Sequence, residues 1–103
     1  MHEVLITPSA GDDLLDGFVF YEAHEAGVGD YFLQCLASDI DSLGLYAGIH
    51  AKSHLGLYRV SSKRFPFSIY YQFDNSTVVV AAIIDERRSP KTIRRALSDR
   101  TSG

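Results

Sequence analysis

The hydrophobic spacing of this chain changes once, and that change constrains the fold more than any motif. Up to Leu43 the large apolar residues recur at helical steps, whereas beyond Lys52 they recur at every second position. A chain of this kind builds helices first and a sheet afterwards. Leu14, Leu15, Phe18 and Tyr21 predict a first helix, with Asp16, Glu22 and Glu25 on its other faces. Ser9 reads as its N-cap, and Asp12 and Asp13 read as first-turn acids favoured by the helix dipole. Gly27-Val28-Gly29 interrupts it. Asp30 then caps a second helix through Phe32, Leu33, Leu36, Ile40 and Leu43, with Gly44 as its C-terminal stop. Two helices joined by so few residues predict an antiparallel hairpin.

In front of the hairpin, Val4-Leu5-Ile6 predicts a short buried strand ended by Thr7-Pro8. Behind it, Leu45 to Lys52 reads as a loop of small residues. Leu57-Tyr58-Arg59-Val60 predicts a strand and Ser61-Ser62-Lys63-Arg64 a turn. Phe67, Ile69, Tyr71 and Phe73 alternate with Ser68, Tyr70 and Gln72 as in a half-buried antiparallel strand. After the turn Asp74-Asn75-Ser76, the seven apolar residues Val78 to Ile84 predict the central strand. Ser89-Pro90 reads as an N-cap followed by proline at the first helical position. Ile93 and Leu97 give the last, short helix one apolar edge, and Thr101-Ser102-Gly103 are expected to fray. The resulting class is α+β: an N-terminal strand, an α-helical hairpin, a three-stranded antiparallel meander and a short C-terminal helix. At 103 residues and 46% apolar content, residues 1–103 are expected to form one domain.

Charge is divided between the halves. Residues 1–51 hold nine acids and no Lys or Arg; residues 52–103 hold all ten bases and four acids, so the net charge of −3 conceals a polar molecule. The basic half suits an anionic partner. Structural metal sites need converging ligands, and His50 and His54 stand in a loop with Cys35 elsewhere, so no metal and no cofactor is expected. Gly27-Val28-Gly29 lacks the rest of a phosphate loop, and no Gly-x-Ser-x-Gly elbow occurs. The carboxylate pairs Asp12/Asp13 and Asp39/Asp41 are accounted for by helix capping and solvation. Cys35 among Leu33, Leu36 and Ile40 reads as a buried, inert thiol, and a lone cysteine forms no intrachain disulfide. Without a membrane-length apolar run or a signal-like N-terminus, the expected location is cytoplasmic.

Arg64-Phe65-Pro66-Phe67-Ser68-Ile69-Tyr70-Tyr71, followed by Val78 to Ile84 and then Asp85-Glu86-Arg87-Arg88-Ser89-Pro90, resembles the RelE/ParE family and its ParE-like branch in particular. These are toxins of type II toxin–antitoxin modules, also called plasmid stabilisation proteins. The resemblance extends to element order and length. It implies one of two activities: RelE-like members cleave mRNA on the ribosome, and ParE-like members inhibit DNA gyrase by binding.

The RelE-like residue set comprises lysines before the sheet, an arginine on the middle strand, an arginine after the last strand and a terminal tyrosine. Here Lys52 stands for one lysine and Arg87 for the last arginine. Ser68 occupies the middle-strand position, and no tyrosine follows Tyr71. Asp85 stands where many relatives carry histidine.

The resemblance therefore favours a binding toxin. Its cognate antitoxin or target would meet Arg59, Lys63, Arg64, Arg87 and Arg88, with Arg94 and Arg95 on the terminal helix facing the target. DNA gyrase is the expected target, and operator DNA is reached only through the antitoxin. The alternatives are a ribosome-dependent endonuclease with a rearranged site of Lys52, Arg59, Arg87 and a tyrosine, and a non-toxic member that only binds antitoxin.

Overall fold

A computed structural model describes residues 1–53 and 55–101 of the chain. His54, Ser102 and Gly103 lie outside the described residues, and with them the pairing of His54 with His50 and most of the expected terminal fraying. The elements run β1 (Glu3–Ile6), α1 (Pro8–His24), α2 (Val28–Asp41), α3 (Leu43–Tyr46), β2 (Tyr58–Ser61), β3 (Phe67–Asp74), β4 (Thr77–Asp85) and α4 (Pro90–Thr101). One sheet has the order β1-β4-β3-β2, in which β1 runs parallel to β4 and the other pairs are antiparallel. The α+β class with a hairpin and a three-stranded meander is as the spacing predicts. Strand β4 shares the centre with β3.

The helix ends differ from expectation. Thr7, not Ser9, caps α1: its Oγ1 accepts from the Ala10 N–H at 3.1 Å, and Pro8 takes the first helical position, where a missing N–H costs nothing. Asp12 and Asp13 consequently fall beyond the first turn. Helix α2 starts at Val28 rather than behind an Asp30 cap, because Gly27 at φ 91° adopts a left-handed cap that glycine enters without strain. The Glu22 carboxylate fixes this corner by accepting from the N–H groups of Gly27 and Gly29. Gly44 is no stop. Helix α2 ends at Asp41, and Leu43 and Gly44 belong to the short α3, which takes over the start of the expected loop.

Two apolar clusters sandwich the sheet. Ala10, Phe32, Leu36, Ile40 and Leu43 from the hairpin side pack on Phe67, Ile69, Tyr71, Val78, Val80 and Ile83. On the other face Leu97 of α4, with Ile93 and Ala96, packs on Leu57, Tyr70, Ala82 and Ile84. Leu57 thus sits in this second cluster just ahead of β2. Strand β3 is buried from Phe67 to Tyr71 on both faces, not half-buried, because α4 covers the face assigned to solvent. The close seam of α1 and α2 depends on Gly17, where a Cβ would meet the Phe32 ring at 2.4 Å.

Register explains the uniformly apolar Val78–Ile84 run. Tyr70 pairs with Ala82 but Tyr71 with Val80, so Ala81 is an extra residue in β4. The bulge changes which residues face the hairpin: Val78 and Val80 before it, Ile83 after it. Both parities are apolar, so the run tolerates the switch. Strand β1 stops alongside Val80, leaving the bulged segment without a strand partner on that side. Side chains replace the strand. Arg100 Nη1 donates to the Ala81 carbonyl at 3.0 Å, and the Ile83 N–H donates to Asp13 Oδ2 at 2.9 Å. Asp13 and Arg100 also pair directly through two bonds of 2.8 Å. This clasp ties α1, β4 and α4 together.

Candidate functional site

Of the residues singled out from the sequence, Arg59, Ser68 and Arg87 lie around the end of the sheet where β2 leaves and β4 finishes. Register sets Arg59 opposite Tyr70 and Ser61 opposite Ser68, with Ser68 opposite Ile84. Strand alternation then places Arg59, Ser61 and Ser68 on the face that carries α4. A backbone bond from the Glu86 N–H to the Pro66 carbonyl, 2.8 Å, extends the ladder and brings Glu86 onto the same patch.

Glu86 is the hub. Its Oε2 accepts from Ser61 Oγ at 2.5 Å, Ser68 Oγ at 2.6 Å and Arg59 Nη2 at 2.7 Å. The hydroxyls of Ser61 and Ser68, then the Arg59 charge, hold its carboxyl below the usual glutamate range against partial burial and the nearby Asp85 charge. At neutral pH the centre of this patch is a carboxylate.

The neighbouring residues form a second closed pair. Asp85 accepts from Arg87 through the backbone N–H at 2.8 Å, Nε at 3.0 Å and Nη2 at 2.7 Å. The Arg87 hydrogen bonds lower the Asp85 pKa, and Asp85 in turn raises that of Arg87, with a smaller contribution from Tyr21 on α1. Arg87 is thus tied to its own chain neighbour Asp85, while Arg59 lies on the α4 side. Lys52 belongs to neither pair. It bridges to Tyr58, with Nζ 5.1 Å from the ring centre. Tyr58 itself stacks on Tyr71, a residue of the hairpin-side core. Lys52, Arg59 and Arg87 thus occupy separate surroundings. Tyr71 is fully buried, its hydroxyl engaged by the Gly48 N–H and His50 Nδ1. Burial raises the Tyr71 pKa and lowers that of His50.

The remaining cations form two exposed groups. Arg94 and Arg95, with Lys91, project from α4, whose Ile93, Ala96 and Leu97 face the sheet. Arg88 stands at a cleft of about 340 Å³ between α1, the end of β4 and α4, also lined by Asp13, Asp16, Phe20, Asp85 and Arg100. Lys63 and Arg64 lie elsewhere, in the β2–β3 turn over α2. Buried Asp39 holds that turn by accepting from Ser62 Oγ at 2.7 Å and the Lys63 N–H at 3.2 Å. A groove of about 290 Å³ beside it is lined by Tyr31, Gln34, Cys35, Ser38, Asp39, Lys63 and Arg64. Cys35 is half-buried there, more accessible than its apolar neighbours suggest.

Sequence reasoning overlooked Glu86 as an organiser, together with Ser61, Asp39 and the Asp13–Arg100 clasp. For Glu86 the signal was present: once Ser61 opposes Ser68, two hydroxyls and an arginine converge beyond the end of β4. Among the described residues no three His, Cys, Asp or Glu side chains converge as a metal site, and no helix is long and apolar enough to cross a membrane.

No family model matches the sequence, and no curated protein matches it. Among solved structures the chain is similar to one described as "Chromosomal ParDE TA system from P. aeruginosa", with a TM-score of 0.75 and 19% identity over 82% of this chain and 96% of that one. At that identity the likeness is one of fold, and it extends over nearly all of the P. aeruginosa chain.

Proposed function

We propose that this chain is a ParE-like type II toxin that acts by binding DNA gyrase and is neutralised by a cognate antitoxin. The shared fold and the two-strand resemblance support the toxin class. The observation that favours binding over ribonuclease chemistry is the Glu86 carboxylate in contact with Ser68. Cleaving RNA through its 2′-hydroxyl places extra negative charge on the phosphate in the transition state, which catalysts stabilise with cations and donors. This patch presents an anion instead, and its hydroxyls and arginine already serve that anion. The Ser68 hydroxyl replaces a charge that the chemistry requires.

A binding toxin needs an exposed surface rather than a poised catalytic group. The outer face of α4, with Lys91, Arg94 and Arg95, offers positive charge without acidic partners among the described residues and is the proposed target contact. Arg88 at the head of α4 extends it. The antitoxin would cover part of the toxin's surface, and operator DNA would be reached only through it. This reading carries a cytoplasmic site of action.

Pulse labelling after tightly controlled induction without antitoxin tests the proposal. An early fall in thymidine incorporation with methionine incorporation intact is the expected result. An early fall in methionine incorporation, accompanied by mRNA cuts, would establish the endonuclease instead. Folded protein that changes neither would mark a non-toxic binder.

A further inference from the structure

The expected basic surface is not continuous. Arg59 is held by Glu86 and Arg87 by Asp85, whereas Lys63 and Arg64 meet no carboxylate within ion-pair distance among the described residues. Their turn is nonetheless well anchored. Asp39, buried in α2, fixes it through the Ser62 hydroxyl and the Lys63 backbone, and neither cationic side chain takes part. Two free cations are therefore presented on a braced turn above a groove. A braced site loses less ordering entropy on binding than a mobile one.

The groove's chemistry is mixed. Gln34 and Ser38 bring neutral polar groups, and Tyr31, 46% exposed and 5.7 Å from the Phe65 ring, brings an aromatic wall. Its acid, Asp39, directs Oδ2 at the turn. A volume of about 290 Å³ takes one or two side chains.

We propose that this groove, between α2 and the β2–β3 turn, binds an acidic peptide segment of the neutralising partner, a carboxylate pairing with Arg64 and Lys63 while an adjacent apolar side chain packs on Tyr31. Arginine's planar fork matches a carboxylate in two-point contact. A nucleic acid fits less well. A phosphate track needs a row of cations along its path, and the groove offers only Lys63 and Arg64, enough for a single carboxylate. The inference rests on the toxin reading only for the existence of such a partner.

Cys35, the one cysteine of the chain, lines the groove and serves as a site-specific reporter. Its alkylation by iodoacetamide is followed by intact mass on the full-length protein. The probe is a short peptide alternating glutamate and leucine; a lysine–leucine peptide and an oligouridine are the controls. When the acidic peptide occupies nine-tenths of the sites, labelling slows about tenfold by mass action. That protection is expected in the wild type and in R94E/R95E, and lost in K63E/R64E and in the milder K63Q/R64Q. Circular dichroism confirms that each variant is folded. No protection of the wild type, undiminished protection of K63E/R64E and K63Q/R64Q, or equal protection by either control would overturn the proposal. Pulse labelling is read separately: a protein that arrests nothing in cells but shows the protection loses the toxin reading and keeps the groove.

Discussion

Two arginine–carboxylate pairs in this molecule have nearly the same geometry and different consequences. Arg100 and Asp13 meet at 2.8 Å, Arg59 and Glu86 at 2.7 Å. The first pair is largely buried, and each partner also serves a backbone group of the bulged β4 that no strand reaches, the Ala81 carbonyl and the Ile83 N–H. The second stands at the sheet's end, with Arg59 nearly half exposed, and its carboxylate serves only side chains. Distance alone does not separate a structural pair from one that sets a surface charge. What the remaining lone pairs and protons do separates them. The Asp13 side completes a sheet edge; the Glu86 side determines what the surface attracts.

Breaking the clasp should have the largest effect. Asp13→Ala leaves the Ile83 N–H and the Arg100 guanidinium short of an acceptor, and a loss of about 1–3 kcal/mol is expected by urea denaturation. Arg100→Met should cost a similar amount, and the double variant should fall short of additivity by about 0.5–3 kcal/mol, as for groups in one network. Additive losses would mean that the pair does not act as a unit.

Glu86→Gln should cost less, about 0.2–1 kcal/mol, because solvent screens the Arg59 pair and an amide oxygen still accepts from the serines. The pH dependence sharpens the contrast. Glu86 is held below its ordinary value of 4.5, so its contribution is fully present above that value and disappears as pH falls through the lower, folded-state value. The stability difference between wild type and Glu86→Gln, measured by denaturation at pH 7 and again in steps below pH 4.5, should shrink on acidification. The smallest effect belongs to Lys63→Glu with Arg64→Glu. Neither side chain has an acidic partner among the described residues, so stability should stay within about 0.5 kcal/mol of wild type in the same titration.

The order of elements was legible because helical and strand periods occupy separate stretches of chain. Other features left weaker traces. Pro8 fits either at the first helical position or before the cap, and placing it before the cap made Ser9 read as the cap that Thr7 provides. The Ala81 bulge is silent in sequence because Val78 to Ile84 are apolar on both parities, and a bulge shows itself only where polarity alternates. Asp13 and Arg100 stand 87 residues apart, beyond any periodicity argument. Of the candidate site, the positions were readable but their engagement was not. Asp85-Glu86-Arg87-Arg88 suggests local pairing, and Asp85 does pair with Arg87. Glu86 instead crosses to Arg59, Ser61 and Ser68, a choice fixed by register across three strands. Lys63 and Arg64 were expected beside the other bases, and the turn over α2 separates them.

The most direct test of the proposal that this chain is a toxin binding gyrase through the free cations of α4 is a supercoiling assay with purified gyrase. Wild-type protein and the Arg94→Glu, Arg95→Glu variant would be assayed side by side, each checked for folding by circular dichroism. Inhibition by the wild type and its loss in the variant are the expected results. Folded wild-type protein that leaves supercoiling untouched would contradict it.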